Sequence, residues 1–296
     1  MKYITNMAGL LLSLVLFSPH VAATDLAEES TDEHWFVPSS ENLVYLKTDT
    51  GDVIIMLSAD TAPTHKERFI DLVKDGFFDN QHFYRVIEGF VAQGGSNEEN
   101  QPFALASPMK SEFFKSPIPE DTVVVEPNAI HAPQTGFLNG MPVGTDTANN
   151  QLWHVHCPGT VAFARDTGKD TATTEFYVVL GQSPRHLDKN MSVIGRVLSG
   201  MEHLQQLPRG NRDNGGVISA PGKKSRILSA RLGSALPEEK QRIFRIQRGS
   251  HPDYLQKVAN ARTLDNAFFH DKSLTPRTID VCYYQTKVEE ITGNSR

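Results

Sequence analysis

The segment FYRVIEGFVAQGG, residues 83–95, constrains the fold of this chain more than any other part of its sequence. It predicts two short strands, 83–87 and 90–93, because alternation sends Tyr84 and Val86 to one face and the residues between them to the other. The Glu-Gly pair permits a tight connection between the strands, and the double glycine lets the chain turn away sharply. The segment therefore predicts a hairpin within a sheet.

Three side chains of this hairpin are expected to share one concave surface: the guanidinium of Arg85, the ring of Phe90 and the amide of Gln93. No thiol, serine or carboxylate nucleophile is obvious among them. Such a surface suits a substrate that is gripped and polarised rather than cut. The alternative from the residues alone is a sheet with a surface arginine, since arginine is usually exposed.

FYRVIEGFVAQGG resembles the signature of the cyclophilins, in which an Arg, a Phe and a Gln at this spacing line the proline-binding face of a peptidyl-prolyl isomerase. A second block, GTVAFAR at 159–165 followed by TEFYVVL at 174–180, looks like the family's other active-site strand pair in its bacterial form. A third block, HLD at 186–188 followed by SVIGRV at 192–197, is similar to the loop and strand that close the pocket. The three blocks occur in the family's order within about residues 43–233.

The resemblance implies a mainly β protein: a closed antiparallel eight-stranded cyclophilin-like barrel capped by two α-helices, with a helical C-terminal extension. The 296 residues are enough for one large domain or two small ones. The predicted organisation is, in order, a signal peptide (1–23), an acidic N-terminal arm (24–42), the barrel domain (43–233) with a long insertion (about 97–157), and the C-terminal extension (234–296).

The composition, with 39% hydrophobic and 22% charged residues, is that of an ordinary globular protein. The net charge of -6 and the pI near 6.0 give no basis for nucleic-acid binding, which usually needs a concentrated basic surface. Protein partners are therefore expected, and the resemblance specifies proline-containing polypeptide substrates.

The N-terminus has the three parts of a secretory signal peptide: Met1-Lys2, an apolar run at 8–17, and the small residues that end at Ala23. We predict cleavage after Ala23; the alternative is an uncleaved anchor, although the run is short for a membrane span. The resemblance to bacterial members makes the expected compartment the periplasm, with no stable membrane insertion after signal removal. In the arm that follows, Trp35 is the expected docking residue.

The start of the barrel has clear local signals. Two strands, 43–48 and 52–57, flank a hairpin turn whose glycine tolerates positive φ. A helix is predicted to open after them, with a side-chain oxygen of Asp60 or Thr61 capping its free amides, and to end at Gly76. This arrangement fits a helix that covers one open end of a sheet.

The secondary structure of the insertion is the hardest to predict from the sequence, because this segment is rich in Pro, Asn and Gly. A structureless loop of this length is uncommon, so we expect short elements such as a strand at 122–125. Its apolar side chains are expected to pack the insertion against the domain, and the candidates are Phe113, Phe114, Phe137 and Met141. It either selects substrates at the rim of the groove or is a padded surface loop.

Beyond the insertion, a second capping helix is predicted at 200–207 and a closing strand at 225–233. The C-terminal extension then shows an amphipathic helix that starts near 237–240 and continues through Ile243, Phe244 and Ile246, a second helix at 252–262 and a strand-like stretch at 278–285. The extension either docks on the barrel or recruits a protein partner; docking is favoured because such short helices are marginal unless packed.

The resemblance implies that Arg85 is the principal catalytic residue, with Gln93 holding Arg85 or the substrate backbone. Rotation about an X-Pro bond is slow because the nitrogen lone pair is delocalised into the carbonyl. A guanidinium can localise that lone pair, since it stays charged and offers several donors in a rigid plane. Replacement of Arg85 by Ala is expected to abolish most activity without unfolding the protein.

The remaining predicted site residues would bind the substrate. Phe90, Val91, Tyr177 and Leu187 would form an apolar pocket for the proline ring, and Ala164 would leave its backbone close to the substrate. Each aromatic ring has the alternative of ordinary core packing.

Two positions depart from the family's usual pattern, and a third has an open role. Glu175 stands where the best-known members carry Gln; it either fixes Arg85 through a bidentate contact or competes with the substrate for its donors, and Glu175→Gln is expected to raise activity. His186 replaces a Trp and is expected to stack on the substrate from the rim. Arg165 bonds either loop carbonyls or the substrate.

His154, His156 and Cys157 form a motif of metal-ligand types, but no further Cys/His cluster completes it, so neither a metal nor a cofactor is predicted. Cys157 and Cys282 are the only cysteines. They either pair in an oxidising compartment or are buried as small apolar side chains.

Together these features predict a periplasmic peptidyl-prolyl cis-trans isomerase that acts on exported, proline-containing polypeptides. The alternative is a non-catalytic module that binds proline-bearing segments as a chaperone or assembly factor. A hydrolase has little support, because no nucleophile, base and orienting acid occur in a recognisable arrangement. The C-terminal extension is a further candidate surface for a protein partner.

Overall fold

The structure is a computed structural model that describes Met1 and residues 33–95, 107–182, 184–219 and 225–291. The predicted signal peptide after Met1 lies outside the described residues. Within the described ranges, no helix combines the length and apolar character that crossing a bilayer requires.

The described secondary structure consists mostly of short strands. In chain order they are β1 (Trp35–Phe36), β2 (Leu43–Thr48), β3 (Gly51–Leu57), β4 (Phe83–Val86), β5 (Val91–Gly94), β6 (Val123–Glu126), β7 (Gln134–Leu138), β8 (Met141–Asp146), β9 (Gln151–His154), β10 (Thr160–Phe163), β11 (Phe176–Val179), β12 (Val193–Ser199), β13 (Ile227–Leu232), β14 (Ile243–Gln247) and β15 (Val288–Ile291). The α-helices are α1 (Pro63–Lys74), α2 (Met201–Gln205) and α3 (Pro252–Thr263).

Among the described residues, eight strands form an antiparallel sheet in the order β13, β2, β3, β12, β10, β11, β5, β4. The two edges approach each other: the backbone N–H of Ile227 donates to the carbonyl of Gln81 at 2.7 Å, and His82 forms an isolated bridge with Arg226. The predicted eight-stranded barrel is therefore confirmed, and it is nearly closed.

Strand β3 shows how the barrel divides its side chains between two cores. Val53 and Ile55 point into the interior cluster, whereas Ile54 and Met56 point outward, as the alternation of a strand requires. The outward pair is buried as well, because apolar residues of the insertion and of the C-terminal extension pack over it. The strand is consequently apolar on both faces.

Helix α1 packs on the barrel, but its N-terminus is not capped as predicted. The backbone N–H groups of Thr64 and His65 donate to the carboxylate of Glu112 at 3.1 and 3.0 Å, in place of a local cap from Asp60 or Thr61. The capping prediction was wrong because a residue far along the chain supplies the acceptor. The second helix and the closing strand are confirmed as α2 and β13.

The insertion contains its own sheet, formed by β6, β7, β8 and β9. The strand predicted at 122–125 is confirmed as β6, and Phe137 and Met141 are buried as expected. Phe114 is 44% exposed, so its predicted packing role was wrong. Phe113 lies against the guanidinium of Arg165, 5.6 Å from its ring centroid.

The C-terminal extension is mixed rather than helical. Its first apolar stretch, predicted as a helix, is the strand β14, in which Phe244 and Ile246 are buried while Ile243 is 54% exposed. This period of two reflects pairing with β1 on one side and β15 on the other. The helix predicted at 252–262 is confirmed as α3, whereas 278–285 forms turns instead of a strand.

Several contacts dock the extension and the arm. Cys157 and Cys282 form a disulfide, with their Cα atoms 4.8 Å apart. Trp35 pairs with Gln247 through β1 and β14, and the guanidinium of Arg245 lies 4.1 Å from its ring centroid. Docking of the extension, the favoured prediction, is what the structure shows.

A buried carboxylate adds an electrostatic contact to this docking. Glu126, at the end of β6, accepts a hydrogen bond from Nη1 of Arg262 at 2.6 Å and another from the backbone N–H of Ile279 at 2.8 Å. Burial alone would raise the pKa of Glu126, but these bonds and one from Asn128 outweigh it, so the pKa lies below its usual value. The insertion and the extension are thereby joined by the ion pair between Glu126 and Arg262.

Candidate active site

A bulge in β4 sets the geometry of the candidate site. The pairing of β4 with β5 slips by one residue between Phe83 and Arg85, so that Tyr84 and Arg85 together stand opposite Gln93. Phe83 and Val86 both belong to the barrel interior, which contradicts the strict alternation predicted from the sequence. The extra residue allows two consecutive polar side chains to reach the same neighbour.

Two hydrogen bonds hold the guanidinium of Arg85. Its Nε donates to the carbonyl of Gly215 at 2.8 Å, and its Nη1 donates to Oε1 of Gln93 at 2.9 Å. Within the described residues these bonds use two of its five N–H donors, so three are available to a ligand. Arg85 is therefore oriented without being fully occupied.

Glu175 supports Gln93 rather than Arg85. Its Oε2 accepts a hydrogen bond from Nε2 of Gln93 at 2.6 Å and a second, short one from the hydroxyl of Tyr84. Nε2 of Gln93 also donates to that hydroxyl at 2.7 Å. Burial, and then the neighbouring carboxylate of Glu175, raises the pKa of Tyr84. Among the described residues the carboxylate therefore acts on Arg85 through Gln93, and the predicted bidentate contact is not formed.

A cavity of about 230 Å³ opens beside Arg85. This is somewhat smaller than the roughly 300–1,000 Å³ of sites for drug-sized ligands, and its lining combines apolar walls with a few polar groups. The lining residues are Arg85, Phe90, Val91, Gln93, Ala164, Arg165, Tyr177, Leu187 and Met191. The cavity suits a small apolar ring attached to a polar backbone.

Most of the predicted site residues thus meet at one cavity, and two do not line it. Glu175 stands behind Gln93. The ring of His186 stacks on Phe90, with the ring centroids 6.0 Å apart and the planes inclined by 20°. Met191 lines the cavity without having been predicted; no sequence signal beyond its position shortly after Leu187 pointed to it.

Arg165 lies at the mouth of the cavity and is held by its own loop. Its Nε donates to the carbonyl of Asn190 at 3.1 Å, and its Nη1 donates to the carbonyl of Asp166 at 2.8 Å. The structure shows the predicted bonds to loop carbonyls, and because Arg165 also lines the cavity, its contact with a substrate stays a prediction. Its guanidinium plane is also supported by the ring of Phe113.

The motif of metal-ligand residues is split between different partners. Nε2 of His154 lies 3.3 Å from the hydroxyl of Ser58, whereas His156 bonds to Asp188 and Tyr177. Across the ranges that the structure describes, no group of three or more His, Cys, Asp or Glu side chains is arranged to hold a metal ion. His156 instead lies behind Tyr177 in the wall of the cavity, and the only sequence signal for it was the motif of metal-ligand residue types.

Curated proteins similar to this chain are isomerases. Peptidyl-prolyl cis-trans isomerase A of Dickeya dadantii is 27% identical over 226 residues, which are 75% of this chain and 92% of that protein. A probable peptidyl-prolyl cis-trans isomerase of Brucella suis is 27% identical over 183 residues, which are 62% of this chain and 80% of the relative.

The fold has a solved counterpart as well. The crystal structure of a cyclophilin from Hirschia baltica matches 92% of this chain and 100% of its own, with a TM-score of 0.70 and 24% sequence identity, which shows a shared fold. The family model of cyclophilin type peptidyl-prolyl cis-trans isomerases matches residues 43–232, more than half of the chain. The chain therefore belongs to the cyclophilin family of peptidyl-prolyl cis-trans isomerases, the enzymes also known as rotamases.

Proposed function

We propose that the isomerase reaction takes place at the cavity beside Arg85, with Arg85 as the catalytic residue and exported, proline-containing polypeptides as substrates. The single observation that carries the proposal is an oriented guanidinium with available donors at the edge of an apolar hollow. A proline ring fills the hollow, and the prolyl nitrogen faces the guanidinium.

The chemistry follows from the X-Pro bond. Its rotational barrier is about 18–20 kcal/mol, because the nitrogen lone pair is shared with the carbonyl in the planar state. In the twisted state the lone pair is localised on nitrogen, and a donor aimed there stabilises the twisted state more than the planar one. Each 1.36 kcal/mol or so of such stabilisation raises the rate about tenfold. Arg85 needs no proton exchange for this role.

The other cavity residues hold the substrate. Phe90 and Leu187 supply apolar area for the ring, and Tyr177 forms a third wall. Gln93 keeps Arg85 in place through its side-chain carbonyl. Ala164 lines the cavity, and its small side chain lets a substrate strand approach its backbone closely.

The decisive experiment measures kcat/KM on a short X-Pro peptide in a protease-coupled assay. Arg85→Ala is expected to lower kcat/KM at least a hundredfold, and Arg85→Lys, which keeps the charge but loses the planar fork, is expected to recover little of it. Arg231→Ala is the matched control, since Arg231 pairs with Asp79 and does not line the cavity. Wild-type kcat/KM in Arg85→Ala would refute the proposed site.

The exported nature of the substrates is supported by the predicted signal peptide and by the disulfide between Cys157 and Cys282, since such bonds persist mainly in oxidising compartments. Intact-mass measurement of the protein isolated from its native host checks this point. A mature chain that starts at Thr24 and lacks two cysteine protons is the expected result. A chain that still starts at Met1 would contradict the cleavage after Ala23.

The C-terminal extension supports contact with a protein partner, because it exposes Phe268 and Leu274, which are 80% and 83% accessible. The partner we propose is an apolar segment of an unfolded client. A variant with Phe268→Ser and Leu274→Ser is expected to retain wild-type kcat/KM on a short peptide and to lose binding of an unfolded client. Unchanged client binding would contradict this role.

A further inference from the structure

Tyr177 has a second set of contacts that the proposed reaction does not use. Its ring lines the cavity, whereas its hydroxyl lies 2.8 Å from Nε2 of His156. The side chain of His156 is fully buried, and its ring is stacked on that of Tyr177 with the planes inclined by 15°. A wall of the cavity is thus fixed from behind by a buried histidine.

A carboxylate sets the direction of this hydrogen bond. Oδ1 of Asp188 lies 2.9 Å from Nδ1 of His156 and also accepts the backbone N–H of His156 at 2.9 Å. A carboxylate can only accept, so Nδ1 of His156 carries a proton, and in the neutral ring Nε2 then presents its lone pair. Tyr177 is therefore the donor to the neutral ring of His156. Burial, together with the charge of Asp188, raises the pKa of Tyr177, which keeps the hydroxyl proton in place.

The same carboxylate holds a second wall of the cavity. Oδ2 of Asp188 accepts a hydrogen bond from Nε of Arg185 at 2.6 Å, and these two residues bracket the short turn that contains Leu187. Leu187 and Tyr177 both line the cavity. Asp188 is consequently the common anchor of two walls that come from different parts of the chain.

We propose that His156 and Asp188 are positioning residues that fix the separation between Tyr177 and Leu187 and so match the cavity to a five-membered ring. This inference rests on the proposed function, in which the cavity binds the ring of proline. Neither residue touches the substrate. Their effect is on the width of the cavity, and hence on which cyclic residue it accepts.

The test compares substrates that differ only in ring size. Short peptides carry either proline or its six-membered analogue, pipecolic acid, at the isomerising bond, and KM and kcat are measured for each. In His156→Leu, KM for the proline peptide is expected to rise about two- to tenfold, the range that one net hydrogen bond spans, with kcat changed less. The preference for proline over pipecolic acid is expected to fall several-fold.

Three further variants complete the experiment. Tyr177→Phe removes only the hydroxyl and is expected to relax ring selectivity in the same direction, with no additional effect when combined with His156→Leu. His156→Gln, whose amide can both accept from Tyr177 and donate to Asp188, is expected to restore part of the selectivity. His154→Leu is the matched control, a buried histidine outside this chain of contacts, and is expected to keep the ring preference of the wild type.

The possible failures are distinguishable. Wild-type kcat/KM in Arg85→Ala overturns the proposed function and this inference with it. If Arg85→Ala is inactive while His156→Leu and Tyr177→Phe keep the wild-type KM and ring preference, only the positioning role is overturned. A uniform loss of activity on both ring sizes in His156→Leu and Tyr177→Phe also overturns it, because a purely structural defect does not discriminate between rings.

Discussion

Replacement of Glu175 by leucine tests whether Arg85 depends on support from behind. The carboxylate of Glu175 accepts a hydrogen bond from Nε2 of Gln93. The side-chain carbonyl of Gln93 in turn accepts a hydrogen bond from Arg85. Because a carboxylate only accepts and a guanidinium only donates, a single orientation of the Gln93 amide satisfies both neighbours. Leucine at position 175 removes the acceptor that enforces this orientation.

The magnitude follows from the bond that is lost. A hydrogen bond to a charged group contributes about 1.5–3 kcal/mol, and the lower end applies here because Glu175 is only partly buried. If that free energy is lost from the orientation of Arg85, kcat/KM falls about tenfold. Glu175→Gln keeps an oxygen at the same place and is expected to stay within about threefold of the wild type, since a neutral acceptor still fixes Gln93.

This expectation for Glu175→Gln differs from the increase predicted from the sequence. That prediction assumed that the carboxylate competes for the donors of Arg85, whereas the structure shows the contact going through Gln93. The measurement is kcat/KM in the protease-coupled assay, with thermal unfolding as the check on folding. A folded Glu175→Leu variant with more than half of the wild-type kcat/KM would refute the reasoning, and an equal loss in both variants would assign the effect to charge.

Three further predictions concern stability. The variant with Cys157→Ser and Cys282→Ser is expected to lose about 2–5 kcal/mol of unfolding free energy, because a closed loop is opened in the unfolded chain; an unchanged urea midpoint would contradict this. Glu126 has a lowered pKa, so its stabilisation is present above the unfolded pKa of about 4.3 and is lost as the pH falls further. The urea midpoint of the wild type should therefore fall more between about pH 6 and about pH 3.5 than that of Glu126→Gln, and parallel curves would exclude the linkage. Arg196, whose pKa is lowered to about 10 by burial, donates to Gly140, so Arg196→Met is expected to cost about 1–3 kcal/mol by urea unfolding, and no loss would show that the buried contact contributes nothing net.

The residues predicted for the site meet at one cavity because their sequence signals are local and the sheet order brings the strands together. Arg85 and Gln93 lie on β4 and β5, and Tyr177 lies on β11, which pairs directly with β5. Each of these strands lies in a short block that resembles the family's, so its existence could be predicted. The bulge in β4 could not be predicted, because it accompanies a contact between Tyr84 and Glu175, which are far apart in the chain.

The other incorrect predictions also involve contacts between residues that are far apart in the chain. The cap of α1 comes from Glu112, which no local pattern links to Thr64. The first apolar stretch of the C-terminal extension fits a helix or a strand in isolation, and β14 is a strand because β1 and β15 flank it. The resemblance ended at about residue 233, so only local patterns were available there. The contacts of His156 could not be predicted, because its partners, Asp188 and Tyr177, are not its neighbours in sequence.

The position of β14 bears on the site itself. Tyr177 and Val91, which line the cavity, belong to the same apolar cluster as Phe244 and Ile246 of β14, and Ile54 of the barrel lies in that cluster too. A barrel cut after about residue 233 would expose the outer side of this cluster and would lose one half of the disulfide. Because packed interiors transmit displacements, the outer face of the barrel and the walls of the cavity cannot relax independently. The C-terminal extension is therefore expected to help position the walls of the candidate cavity.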